Sequence, residues 1–221
     1  MRLYDYPASA NCWKVWTMLR LTGRFDAVER VTIDIFGGDA LDPAFLAVNP
    51  LARTPVLALD DGRILRESNA IAWYVADGSP YLPPDAADRA DALSWLLIEQ
   101  TEIEPTLGNA RFRRLTGREP LDPEGTARMA AAGRRGVALL DAHLADGRDW
   151  LVGDGPSVAD VCCAAYARLA DDAGVALAGF PAVAAWRDRL MALPGVIADV
   201  APYPPNAGPW AGGPNRFDPR D

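Results

Sequence analysis

The chain has 221 residues, half of them hydrophobic and 24% charged, with a formal net charge of −8. That length allows one or two domains with a sizeable core, and the composition is that of an ordinary soluble globular protein. The acidic balance argues against nucleic acid or an anionic membrane surface as the main partner. Three cysteines and a single histidine offer no zinc-ligand spacing, and no metal is expected. No apolar run is long enough to span a membrane.

Arg2 to Tyr6 reads as a short strand, begun so early that no signal peptide is expected before it. Pro7-Ala8-Ser9 is a turn. Ser9 is a good cap for a helix that starts at Ala10, carries Val15, Trp16, Leu19 and Leu21, and stops at Thr22-Gly23. Val31, Ile33 and Ile35 alternate as a strand does. Phe36 to Asp42 is a Gly-rich loop without a basic residue, and Pro43 takes the first position of a short helix. Pro55 precedes the apolar run Val56 to Leu59; lacking an N–H for a ladder, it marks a strand entry or edge. Asp61-Gly62 signals a tight turn towards Ile64-Leu65. Glu67-Ser68 then opens a helix carrying Ile71, Tyr74 and Val75, with Ser68 as its cap and free N–H groups that could hold an anion.

Asp77 to Ala87 is a linker broken by Gly78, Pro80, Pro83 and Pro84. Beyond it strand alternation vanishes, and helical periodicity runs through Ala90 to Glu104, Pro123 to Leu144, Val158 to Asp172 and Phe180 to Ala192. These segments make an all-helical domain. Ser157 and Asp160 form a capping-box-like helix start, a structural pair that does no chemistry. From Ala201 the chain is Pro- and Gly-rich without periodicity; Trp210 and Phe217 are too apolar for water, so this tail is expected to pack on the body. The expected boundaries are residues 1–78, a linker 79–87, a helical domain 88–200 and a tail 201–221.

The order β-α-β-α-β-β-α, the proline-led strand and the acidic-Ser pair together resemble the cytosolic glutathione S-transferases. Ser9, between the first strand and the first helix, is placed like the serine of bacterial serine-type, Theta and Zeta members. The resemblance extends through the Ser157–Asp160 helix to about Val200. It implies an α/β thioredoxin-like N-terminal domain with an all-α C-terminal domain. It further implies a cis peptide before Pro55, with the backbone of Thr54 pairing the cysteinyl unit of glutathione. Glu67 and Ser68 hold the γ-glutamyl end, and Arg53 meets the glycyl carboxylate. Ser9 donates its hydroxyl to the sulfur, with Asn11 as an alternative donor and Tyr6 a weaker one. Glutathione enters as co-substrate, a small-molecule electrophile is the second substrate, and a cytoplasmic homodimer is expected. On the residues alone, Ser9 and Ser68 as plain helix caps, Pro55 as a plain strand start and Arg66 as an exposed strand end stay open.

Ser9-Ala10-Asn11-Cys12 stands where glutaredoxin-like relatives have Cys-x-x-Cys. With serine at the outer position a dithiol redox cycle is not available. Cys12 is either a buried first-turn residue or a low-pKa thiol. In the helical domain, Gln100 to Pro105 resembles a Glu-Gln-x-x-His-Glu-Pro stretch of related bacterial sequences, with Ile103 in the histidine's place. Arg111, Arg113 and Arg114 are either a solvated helix face or a basic cluster at an electrophile site, with Arg111 as its candidate. The function expected is addition of the glutathione thiolate to an electrophile. The alternatives are a non-catalytic binding or interaction module on the same fold, and a glutathione-dependent isomerase or peroxidase.

Overall fold

β1 (Arg2–Asp5) lies inside a four-stranded sheet of order β2-β1-β3-β4. It pairs in parallel with β2 (Glu29–Thr32) and antiparallel with β3 (Val56–Ala58), which pairs antiparallel with β4 (Ile64–Arg66). Arg2 stands opposite Glu29 on one side and Ala58 on the other. α1 (Ala10–Leu21) is the crossover that a parallel pair requires. α2 (Pro43–Val48) is capped by Asp42, whose carboxylate accepts from the Ala44 N–H at 2.7 Å. α3 (Ser68–Ala76) follows β4. The computed structural model describes residues 1–214, and the Phe217 part of the tail expectation lies outside them. The described residues divide into two units: Met1–Val75 with the stretch that begins at Ile197, and Ala76–Val196.

Two local expectations for the first unit are corrected. The strand containing Val31 ends at Thr32 instead of reaching Ile35. The Asp34 carboxylate accepts from the N–H groups of Phe36 (3.1 Å) and Gly37 (2.8 Å), which curls the chain out of the ladder. Ser68 is not the cap of α3 but its first residue. The Ile71 N–H bonds the Glu67 carbonyl at 2.9 Å, so Glu67 holds the cap position, with a left-handed φ of 68°.

The tail joins the first unit. The Trp13 indole donates to the Ile197 carbonyl at 2.8 Å, and the Ala201 N–H to the Pro7 carbonyl at 3.0 Å. Tyr203 packs edge-on to the buried Phe36 at 6.3 Å. Asn206 donates to Asp34 at 3.2 Å, and Ala207 is buried. A side chain at Gly212 would meet the Phe36 carbonyl oxygen at 2.3 Å, so only glycine allows this approach. Trp210, expected to drive the packing, is 48% exposed; the contact is made by Tyr203, Asn206, Ala207 and backbone.

In the second unit, α4 (Ala86–Ile98) continues through a π-helical stretch, Glu99–Gly108, into α5 (Asn109–Leu115). The helix expected to end at Glu104 therefore passes straight over Pro105. A proline supplies no N–H and crowds the preceding turn, and a locally wider helix accommodates it. Within this stretch Thr101, Thr106 and Asn109 donate to the carbonyls of Leu97, Glu102 and Pro105, each four residues earlier. α6 (Pro123–Leu144) packs closely on this stretch through Gly133 and Gly136. A methyl at Gly133 would lie 2.4 Å from Leu107. α7 (Val158–Ala167) is buried throughout, and α8 (Pro181–Met191) completes the unit.

Asp160 in the first turn of α7 is fully buried. It accepts from the N–H groups of Leu151 (2.9 Å) and Ser157 (2.8 Å), the Ser157 hydroxyl (2.9 Å) and the Trp186 indole (2.8 Å). One carboxylate thus satisfies donors from the incoming loop, the cap of α7 and α8. Asp160→Ala leaves four buried donors unpaired and is expected to cost about 3 kcal/mol or more of stability, read by chemical denaturation. A loss within about 0.5 kcal/mol would refute this anchoring role.

Candidate functional site

The loop between β1 and α1 puts Ser9 at the N-cap of α1 with an extended backbone. Its oxygen accepts from the Cys12 N–H at 3.2 Å, and its hydroxyl also lies within hydrogen-bond reach of the Cys12 sulfur. Ser9 and Asn11 are partly exposed, while Cys12 and Tyr6 are buried. The first turn of α1 carries no acidic residue, so its positive end is not neutralised locally.

Cys12 points inwards. Its sulfur accepts from the Tyr6 N–H at 3.3 Å, and its side chain is fully buried. Burial pushes its pKa up to about 11, against smaller opposing effects of hydrogen bonds from Ser9, the Tyr6 backbone and Thr54. Full burial disfavours the thiolate, which argues against the low-pKa alternative. The Tyr6 ring is 5% exposed and edge-on to Phe36, with its hydroxyl buried and lacking a hydrogen-bond partner among the described residues. Burial first, then the neighbouring Tyr203 and Asp34, raise its pKa. Of the four groups considered for the sulfur, Ser9 and Asn11 are the partly exposed ones.

The Thr54–Pro55 peptide is cis. Asn49 shapes the loop before it, donating to the Arg53 carbonyl at 2.7 Å and accepting from the Leu51 N–H at 3.2 Å. The Arg53 side chain is exposed and makes no ion pair among the described residues. Glu67 is exposed, and Ser68 beside it is buried. Arg66 donates twice to the Val48 carbonyl, a structural tie between β4 and the end of α2.

The structure connects α1 and α3 through polar side chains. The Ser68 hydroxyl donates to Asn11 Oδ1 at 3.1 Å. Lys14, fully buried, donates to Ser68 Oγ at 3.3 Å and to Asn69 Oδ1 at 3.0 Å. Neither Lys14 nor Asn69 was singled out from the sequence. The available signal was a lysine set between Trp13, Val15 and Trp16, where a charge has no apolar reason to stand.

The basic cluster of the helical domain is not a free patch. Arg111 is buried and pairs with Asp172 at 3.0 Å; Arg113 pairs with Asp122 at 2.8 Å and Arg114 with Glu119 at 3.1 Å. Arg111, the electrophile-site candidate, is thus buried and engaged in an internal ion pair. Ile103 is fully buried with Leu107, in contact range of α6 at Gly136, and is a core residue. Among the described residues no group of His, Cys, Asp or Glu is placed to hold a metal ion.

Comparison with known proteins matches residues 3–81 to the glutathione S-transferase N-terminal domain and residues 123–189 to the C-terminal domain. A solved glutathione S-transferase from Xanthobacter autotrophicus is 40% identical with a TM-score of 0.85, over 91% of this chain and 97% of that one. Maleylacetoacetate isomerase of Pseudomonas aeruginosa is 30% identical over 88% of this chain and 92% of its own length. A glutathione transferase from Burkholderia graminis, solved with two glutathione molecules bound per subunit, is 32% identical with a TM-score of 0.78. That match covers 88% of this chain and 85% of the other.

Because the Cys12 thiol has its pKa raised by folding, to about 11 from an ordinary 9.0, it contributes stability that is fully present below about pH 9. That contribution is lost as the pH climbs through about 11, and amounts to roughly 2–3 kcal/mol. Denaturation curves from pH 8 to 11 are expected to fall more steeply in the native chain than in Cys12→Ala, which keeps only the smaller loss from the buried Tyr6. An equal fall in both would show that Cys12 is not its source.

Proposed function

The chain belongs to the glutathione S-transferase family, and we propose that it is a glutathione transferase, adding the glutathione thiolate to a small electrophile. The observation that carries this is Ser9, a partly exposed hydroxyl held by the Cys12 N–H at the N-terminus of α1, whose first turn carries no acidic residue. A free thiol is mostly protonated at neutral pH, so the enzyme's task is to favour the thiolate. A donated hydroxyl and a helix N-terminus both do that. Asn11 supplies a second donor from the same turn.

Around the sulfur, the backbone of Thr54 ahead of Pro55 holds the cysteinyl unit, Glu67 and Ser68 the γ-glutamyl group, and Arg53 the glycyl carboxylate. Arg53 is exposed and makes no ion pair among the described residues, as an anion-binding guanidinium should be. The thiolate forms the new carbon–sulfur bond as the electrophile's leaving group departs with its electron pair. The similarity to maleylacetoacetate isomerase favours a second reading, in which glutathione adds to a double bond and is released again after rotation about it. Turnover of a maleyl-type substrate without net consumption of glutathione would select it.

A reducing, cytoplasmic location suits three buried free cysteines. No helix among the described residues is long and apolar enough to cross a membrane. We also propose a homodimer, because Leu51 (57%) and, one turn apart on α4, Leu93 (47%) and Leu97 (60%) remain exposed. Light scattering should give twice the 23.8 kDa chain mass; a monomer at micromolar concentration would exclude it.

The full chain is expected to bind a glutathione column and to elute with free glutathione; flow-through would support a non-catalytic module instead. Ser9→Ala should lower kcat about a hundredfold with the fold intact, as loss of one well-placed donor does. Unchanged turnover of an aromatic halide would remove Ser9 from the mechanism.

A further inference from the structure

Lys14 has no part in the mechanism above, yet its charge is fully buried directly beneath the site. It lies one helical turn from Asn11 on the same face of α1. Its Nζ donates to Ser68 Oγ at 3.3 Å and Asn69 Oδ1 at 3.0 Å, and Ser68 Oγ donates to Asn11 Oδ1 at 3.1 Å. An ammonium offers three donors and no acceptor. Ser68 therefore accepts from Lys14, its proton points away from the cation, and Asn11 meets that proton with its carbonyl oxygen. The reverse orientation would turn the positive end of the Asn11 amide towards a buried cation, which a low-dielectric interior penalises. The amide nitrogen of Asn11 is accordingly directed away from Ser68.

We propose that Lys14 is a positioning residue for the reaction: acting through Ser68, it holds the Asn11 amide with its N–H groups presented to the glutathione sulfur. This rests on the glutathione site assigned above. A serine and an asparagine alone form a hydrogen bond equally well in either sense. Lys14 makes the pair directional, at the cost of burying a charge that an apolar residue would avoid. The function of that charge is orientation, and it acts on the sulfur only through Ser68 and Asn11.

Lys14→Met, Lys14→Arg, Asn11→Ala and the double variant Lys14→Met/Asn11→Ala are compared as full-length chains with glutathione and an aromatic halide. Lys14→Met is expected to lower kcat about tenfold with the KM for the halide within about twofold, the scale of one lost charge-assisted orientation. It should also lower the ultraviolet thiolate absorbance of bound glutathione at neutral pH, and Lys14→Arg should restore most of both signals. The double variant should fall no further than Asn11→Ala, because the two residues act in series. Should Lys14→Met fail to fold, Lys14→Gln is the substitute: it carries no charge, accepts as well as donates, and is expected to lose the same activity. The proposal is overturned if a folded Lys14→Met or Lys14→Gln keeps kcat and thiolate absorbance within about twofold of the parent, or if the two losses multiply in the double variant. Failure of the parent chain itself to bind glutathione resin overturns the glutathione assignment and this role with it. Retention with unchanged kcat overturns this role alone.

Discussion

A buried ammonium must find acceptors, and in the first unit that requirement joins α1 to α3. Lys14 reaches its acceptors at Ser68 and Asn69, the first two residues of α3, and Ser68 reaches back to Asn11 in the first turn of α1. Both helices thereby bring their N-termini to one polar chain, and each N-terminus is a positive dipole end whose first N–H groups have no partner within the helix. The sheet sets the direction of both helices, since α1 is the crossover of the parallel β1–β2 pair and α3 leaves β4 at the far edge. The polar chain then sets their local register. Lysine at this place costs desolvation, and the hydrogen bonds that offset it run through the residues placed at the site.

The second unit uses the same physics for structure alone. Asp160 is the buried charge, and its donors come from the incoming loop, the cap of α7 and the indole of Trp186. Close helix approach is secured by absence of side chains, at Gly133 and Gly136, against the widened stretch that carries Pro105. Arg111 and Asp172 add an internal ion pair. The arginines there hold the unit together, and their charges are spent within it.

What was legible from the chain came from short-range chemistry. Ser9 before Ala10, Pro55 before an apolar run, Asp61-Gly62 at the hairpin and Ser157 with Asp160 each describe a conformation settled within a few residues, so their signals survive without tertiary context. Boundaries were less legible where side chains compete with backbone. Asp34 captured N–H groups that would have extended β2, and Glu67 took the cap that Ser68 was expected to hold. Arg111 read as a free cation because its partner lies sixty-one residues away.

The tail shows the limit most directly. Its composition announced irregular backbone and a need for cover, and both hold for the described residues. Yet the cover is Phe36 and the Asp34 loop, reached through Tyr203 and Asn206, while Trp210 stays largely exposed. The amino-acid order was enough to specify the thioredoxin-like element order, the Ser9 and Ser157 caps, the Asp61-Gly62 turn and the family, because those depend on local propensity and spacing. Tertiary structure alone decided that Cys12 is an inert buried thiol, that Arg111 is spent in an ion pair and that Lys14 stands beneath the site. Each of those depends on desolvation and on partners distant in the chain, which no local pattern encodes.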